Sequence, residues 1–172
     1  MNRLSAIMDR RSIRRFQDRP VEREKLEAIL RAAMQAPSGK NSQCWEFLVI
    51  EEETDRQAVS AMSPFAQCAK NAKALIMVLV NRDRTDPAVS VWVQDLSAAC
   101  MNMLTQAELE GLGATWLGMY PFQERLDAAR EYFHLPENLD AFAVIALGYK
   151  LSEKPPEDRY DPAKVHWGHP FS

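Results

Sequence analysis

Two polar clusters in the first third of the chain are not demanded by core building: Arg10-Arg11-Ser12-Ile13-Arg14-Arg15, and about a helix later Pro37-Ser38-Gly39-Lys40-Asn41-Ser42-Gln43-Cys44-Trp45. A guanidinium is a rigid fork of donors that matches phosphate oxygens two at a time. A loop of Ser, Asn and Gln offers donors and acceptors together, which suits a ligand rich in heteroatoms. The two clusters together point to a phosphorylated, heteroatom-rich cofactor. Taken alone, arginine pairs at the end of a short helix usually serve as solvated partners of the helix dipole, so the surroundings decide the reading.

Rival motifs fail on spacing. Ser38-Gly39-Lys40 is no phosphate loop, because Met34 stands where its first glycine belongs and Asn41 where Ser or Thr should follow the lysine. Gly111, Gly113 and Gly118 follow a helical pattern and are wrongly spaced for a dinucleotide fingerprint. His166-Trp167-Gly168-His169 is at most half a metal site, with His134 the one further histidine, so no metal is expected. Cys100, Met101 and Met103 read as core.

The elements that must position these clusters are legible as periodicity. Residues 3–9 suggest a short helix and residues 20–35 a longer one, with Leu26, Ile29, Leu30, Ala33 and Met34 on one face and Pro37 beyond its end. Strands are expected over 45–50, 74–80, 114–117 and 141–148, and helices over 53–62, 88–110 and 122–133. Gly111-Leu112-Gly113 closes the longest helix.

At 172 residues, with 47% hydrophobic and 26% charged, the chain is long enough to bury roughly 70% of its unfolded surface, and one domain over residues 1–172 is expected. The net charge of −3 hides an asymmetry: residues 1–23 hold seven arginines against three acids, which leaves −7 elsewhere. So local a basic end suits a bound anion better than nucleic acid. Three cysteines without CxxC spacing, and no signal or membrane segment, point to a reducing cytoplasm. Residues 149–172 form a C-terminal extension with four prolines, too polar to build its own core; Trp167 and Phe171 suggest that it wraps another surface.

In order along the chain, Arg10-Arg11-Ser12-Ile13-Arg14, the Pro37–Trp45 loop, Gly111-Leu112-Gly113-Ala114-Thr115-Trp116-Leu117-Gly118, and Ala146-Leu147-Gly148-Tyr149 through to Arg159 resemble the nitroreductase family of FMN-dependent oxidoreductases. One departure is Cys44, where the family has a proline between Gln and Trp; it is the one thiol to watch near a redox cofactor. The resemblance implies an α+β fold with a central mixed β-sheet flanked by helices, in an obligate homodimer whose C-terminal tail wraps the partner subunit.

It also implies the site. Arg10 and Ser12 would hold the FMN phosphate, Arg11 would contact the cofactor through its backbone, and Arg14 would lie near N1 and O2 of the ring, where a positive charge raises the reduction potential. Pro37, Ser38, Gly39, Asn41 and Gln43 would reach the flavin from the other subunit. Gly118, Met119, Tyr120 and Pro121 would form the loop over the ring, with backbone N–H groups, Tyr120's above all, donating to N5 and O4. Arg159 would close over the phosphate. The activity so implied is NADH- or NADPH-dependent reduction of a small quinone, nitroaromatic or similar acceptor by a ping-pong cycle, with no side-chain acid, base or nucleophile marked. The alternatives are a specialised member of the same fold, acting in dehalogenation or flavin fragmentation, and a flavin- or anion-binding protein without turnover.

Overall fold

A computed structural model describes residues 3–86 and 88–168. The elements are α1 (Arg3–Asp9), α2 (Arg23–Met34), β1 (Trp45–Ile50), α3 (Glu53–Ala61), β2 (Ala74–Asn81), α4 (Trp92–Leu109), β3 (Gly113–Gly118), α5 (Gln123–Phe133) and β4 (Leu139–Gly148). The strands form one sheet in the order β1-β2-β4-β3. All three pairings are antiparallel. The mixed character expected of the sheet is confined to an isolated parallel bridge between Ser12 and Ala114 on the outer edge of β3.

Side chains alternate across a strand with a period of two. On β2, Ile76, Val78 and Val80 therefore join one core with α2 and α4, through Ile29, Leu96 and Met103. Leu75, Met77 and Leu79 join the opposite core with Val59 of α3 and Ala129 of α5. Both faces are covered, which is why β2 reads as an unbroken apolar run although its neighbours are antiparallel. The β2–β4 register steps over Phe142, pairing Val78 with Ala143 and Leu79 with Ala141, so Phe142 is a bulge residue.

Helix α4 begins at Trp92 rather than 88. The segment ahead of it is held in a turn, where the Asp86 carboxylate accepts from the Ala88 N–H at 3.0 Å. At its other end Gly111 takes a positive φ of 74°, a conformation that costs glycine little. Beyond β4 the chain runs back along its own N-terminal segment: Leu151 N–H donates to Arg15 O, and Phe16 and Lys150 form an antiparallel bridge. From residue 151 the tail is exposed except at half-buried Asp161, with Tyr160 70% and Trp167 83% accessible. His169, Pro170 and Phe171 lie outside the described residues.

Candidate functional site

The arginine segment is extended and nailed to the sheet at two points. Ile13 N–H donates to Ala114 O at 2.9 Å and Gln17 N–H to Tyr149 O at 2.9 Å. The side chains of Ile13 and Phe16 are buried against glycines. A Cβ on Gly113 would lie 2.7 Å from the Ile13 Cβ, and one on Gly148 would lie 2.8 Å from the Phe16 ring. Each anchor buries a large apolar side chain, worth about 1.5–3 kcal/mol. Arg14 and Arg15 lie between the anchors and Arg10 and Arg11 just ahead of the first, so the segment presents all four without a helix to carry them.

Arg10, Arg11 and Arg159 line one cavity of about 270 Å³, together with Glu157. Arg11 donates to Pro155 O at 2.6 Å and pairs with Glu157 at 3.0 Å. Arg159 pairs with the same carboxylate oxygen at 2.9 Å. The hydrogen bond and charge of Arg159, with the charge of Arg11, hold the Glu157 carboxyl below the usual carboxylate range. Arg10 Nε is buried and has no hydrogen-bond partner. A buried donor left unmatched beside two arginines that already grip an anion is the signature of an anion site. Ser12 is half-buried, and its carbonyl accepts from Lys154 at 3.0 Å.

Arg14, exposed, borders a second cavity of about 170 Å³ whose walls include Phe65, Ala66, Leu117, Gly118 and Met119. From Arg10 to Arg14 the extended chain can span up to about 14 Å. The expectation that Tyr120 N–H donates to the ring is corrected: it donates to Phe142 O at 3.0 Å, as does Met119 N–H at 3.2 Å. The bulge at Phe142 turns that carbonyl toward the loop. Gly118 remains. Ala114 faces Ile13, and edges alternate along a strand, so Gly118 also presents its backbone away from β4. Its carbonyl accepts from Arg125 Nη1 at 2.8 Å. Tyr120 packs edge-on to Trp92 at 4.9 Å and stacks near Phe142 at 6.4 Å; Pro121 follows through a cis peptide and is exposed.

The loop after α2 stays apart from both cavities within one chain. Lys40, Asn41 and Gln43 all have positive φ, at 53°, 54° and 46°, a strained arrangement that persists where surroundings enforce it. The enforcing group is Asp95 on α4, 6% exposed. Its carboxylate accepts from Gly39 N–H at 2.9 Å and from the Ser42 hydroxyl at 3.3 Å. Ser38 Oγ accepts from Gln43 N–H at 3.1 Å, and the Gln43 amide donates to Asn41 Oδ1 at 3.0 Å. Pro37, Asn41 and Gln43 are exposed, and Ser38 and Gly39 are half-buried.

Four supporting residues escaped sequence reasoning: Asp95, Arg125, Phe142 and Glu157. Only Asp95 gave a signal, as an acid within the apolar period Trp92, Leu96, Ala99, Met103. Cys44, read as a thiol near the cofactor, is instead fully buried in the core between sheet and helices, and burial pushes its pKa up. Burial also raises the Cys68 thiol, opposed in part by the charge of Arg14.

A sequence model described as the nitroreductase family matches residues 7–67 and 62–149. A protein of Archaeoglobus fulgidus, provisionally named NADH dehydrogenase/NAD(P)H nitroreductase, is 41% identical over 166 residues, covering 95% of each chain. Among solved structures, an FMN-dependent nitroreductase of Clostridium difficile superimposes with a TM-score of 0.88 at 30% identity, covering 95% of this chain and 98% of its own. A proposed nitroreductase of Desulfovibrio desulfuricans, solved in complex with FMN, has a TM-score of 0.84 at 33% identity over 100% and 99% of the two chains. Matched along nearly its whole length in sequence and in fold, this chain belongs to the nitroreductase family and is an NAD(P)H-dependent oxidoreductase of that family.

Proposed function

We propose that the protein is a homodimeric FMN oxidoreductase of the cytoplasm that takes electrons from NADH or NADPH and passes them to a small organic acceptor such as a quinone or nitroaromatic. The observation that carries this reading is one cavity lined by Arg10, Arg11 and Arg159, in which Arg11 and Arg159 meet on one carboxylate oxygen and Arg10 Nε is left without a partner. A phosphate monoester fits there: it is more highly charged than the Glu157 carboxylate and has an oxygen to spare for Arg10. FMN in two similar structures, one solved with it and one named for its dependence on it, supports the same assignment. Three free thiols suit a reducing compartment.

Arg10, Arg11, Ser12 and Arg159 would hold the phosphate. Arg14 would sit at the charged edge of the ring, against the apolar wall of Phe65, Leu117 and Met119. Bound FMN supplies two-electron transfer from the nicotinamide to the acceptor, each substrate visiting one pocket in turn. Arg14 contributes a fixed positive charge that favours the reduced state, and the apolar wall excludes water from the ring face. The loop of Pro37, Ser38, Gly39, Asn41 and Gln43 would complete the site of the partner subunit, which accounts for a strained, internally bonded loop that leaves Pro37, Asn41 and Gln43 exposed. The test is initial-rate kinetics of NADH and NADPH oxidation with menadione and with 4-nitrobenzoate. Parallel double-reciprocal lines are expected; intersecting lines, or no turnover by fully flavinated protein, would contradict the reading.

A further inference from the structure

Beside the ring-side cavity, and sharing Arg14 with it, lies the larger groove of about 510 Å³ that also runs past Arg15, Arg56, Lys70 and Lys73. Its lining is predominantly cationic. Lys73 is neutralised by the nearly fully exposed Asp18, but Arg14, Arg15 and Lys70 make no ion pair among the described residues, and the remaining acid of the groove, Glu53, accepts from Gln57. Arg56 is only 8% exposed. It gives one donor to Ala72 O, and its Nε has no hydrogen-bond partner. Keeping a guanidinium that deep with an idle donor, among cations that repel one another, costs stability unless an anion restores the balance.

We propose that this groove is the subsite for the pyrophosphate–adenylate arm of the dinucleotide electron donor. The inference rests on the oxidoreductase reading above and adds to it where the far half of NAD(P)H goes. Continuity supports it: Arg14 belongs to both cavities, so a donor whose nicotinamide stacks on a flavin ring held in the ring-side cavity can run its pyrophosphate past Arg14 toward Arg15 and Lys70 without leaving the surface. The chemistry supports it as well, because a diphosphate can engage several guanidinium and ammonium groups at once. The groove shares no lining residue with the phosphate cavity of Arg10 and Arg159: Arg14 and Arg15 come from further along the N-terminal segment, and the rest of its cations from α3 and the turn before β2.

The test is calorimetric titration of ADP-ribose, which lacks the nicotinamide, into the flavinated protein and into an Arg15→Glu/Lys70→Glu double variant of equal flavin content. Both residues are exposed. ADP-ribose should bind the parent, weaken with rising salt, and bind the variant at least about tenfold more weakly. In steady state the variant should raise KM for NADH and NADPH by a similar factor with a smaller change in kcat, and affect reduced nicotinamide mononucleotide, which lacks the adenylate arm, several-fold less. Equal effects on dinucleotide and mononucleotide would overturn the proposal, as would a KM effect confined to an anionic acceptor such as 4-nitrobenzoate. An enzyme that oxidises NADH but ignores ADP-ribose sinks the groove alone. A protein that binds ADP-ribose through these residues yet turns over no NAD(P)H upholds the groove and sinks the oxidoreductase reading.

Discussion

Glu157 joins Arg11 and Arg159 through one carboxylate oxygen, so the proposed anion site carries an internal occupant that a phosphate would have to displace. The arginines of this site were legible as charge and order along the chain, because nothing in a core requires Arg10-Arg11-Ser12-Ile13-Arg14-Arg15. Glu157 was not, since an acid in a polar tail looks like any other solvated charge. Cys44 shows the opposite error. Its position between Gln43 and Trp45 suggested a thiol beside the cofactor, but Trp45 opens β1, and the inward turn of the chain there buries Cys44 completely. Burial keeps the thiol protonated and shielded. Cys44→Ala is therefore expected to keep most of the steady-state turnover and to lose about 1–2 kcal/mol of stability to the small cavity it leaves. Loss of nearly all activity with flavin still bound would make the thiol a chemical participant.

The helices and strands were readable because their apolar periods of 3.6 and 2 are set by which face meets the core. What could not be read was how elements trade backbone groups. The bulge at Phe142 is a register defect without a glycine or proline to announce it, yet it decides that Tyr120 N–H is spent inside the protein. A second cross-element contact governs acid stability. Glu22, at the start of α2, accepts from the hydroxyl of Tyr149, just past β4, at 2.6 Å. That bond, with help from backbone N–H and Arg19, lowers the Glu22 pKa from 4.5 to about 2. A carboxyl depressed in the folded state stabilises the fold above its unfolded value and loses that contribution as pH falls through the folded one. Stability should thus decline between pH 4.5 and 2. Tyr149→Phe should flatten that decline by lowering the stability at pH 5 toward the value at pH 3, as thermal unfolding at the two values would show. An unchanged difference in Tm between them would contradict the linkage.

Across the whole molecule, most of the residues expected to surround one cofactor fall in three places: the cavity of Arg10 and Arg159, the cavity of Arg14 and Gly118, and the outward loop at 37–43. A single chain leaves that loop with no ligand to serve and leaves Tyr160 and Trp167 in water. The proposed second copy of the chain would resolve both, and large exposed aromatics at the end of a tail are what such an assembly would cover. Deleting residues 160–172, which spares Arg159, should weaken the dimer measurably in sedimentation velocity; a truncated protein that stays dimeric at every concentration would argue against a wrapping tail. The central claim, however, is the phosphate clamp, and it is tested most directly by fluorescence titration of the apoprotein with FMN and with riboflavin, which lacks the phosphate. FMN should bind far more tightly than riboflavin, and Arg10→Ala should weaken FMN by about 1.5–3 kcal/mol, roughly tenfold to over a hundredfold, while leaving riboflavin affinity nearly as it was. Equal affinity for the two flavins, or FMN held as tightly by Arg10→Ala as by the parent, would contradict the account.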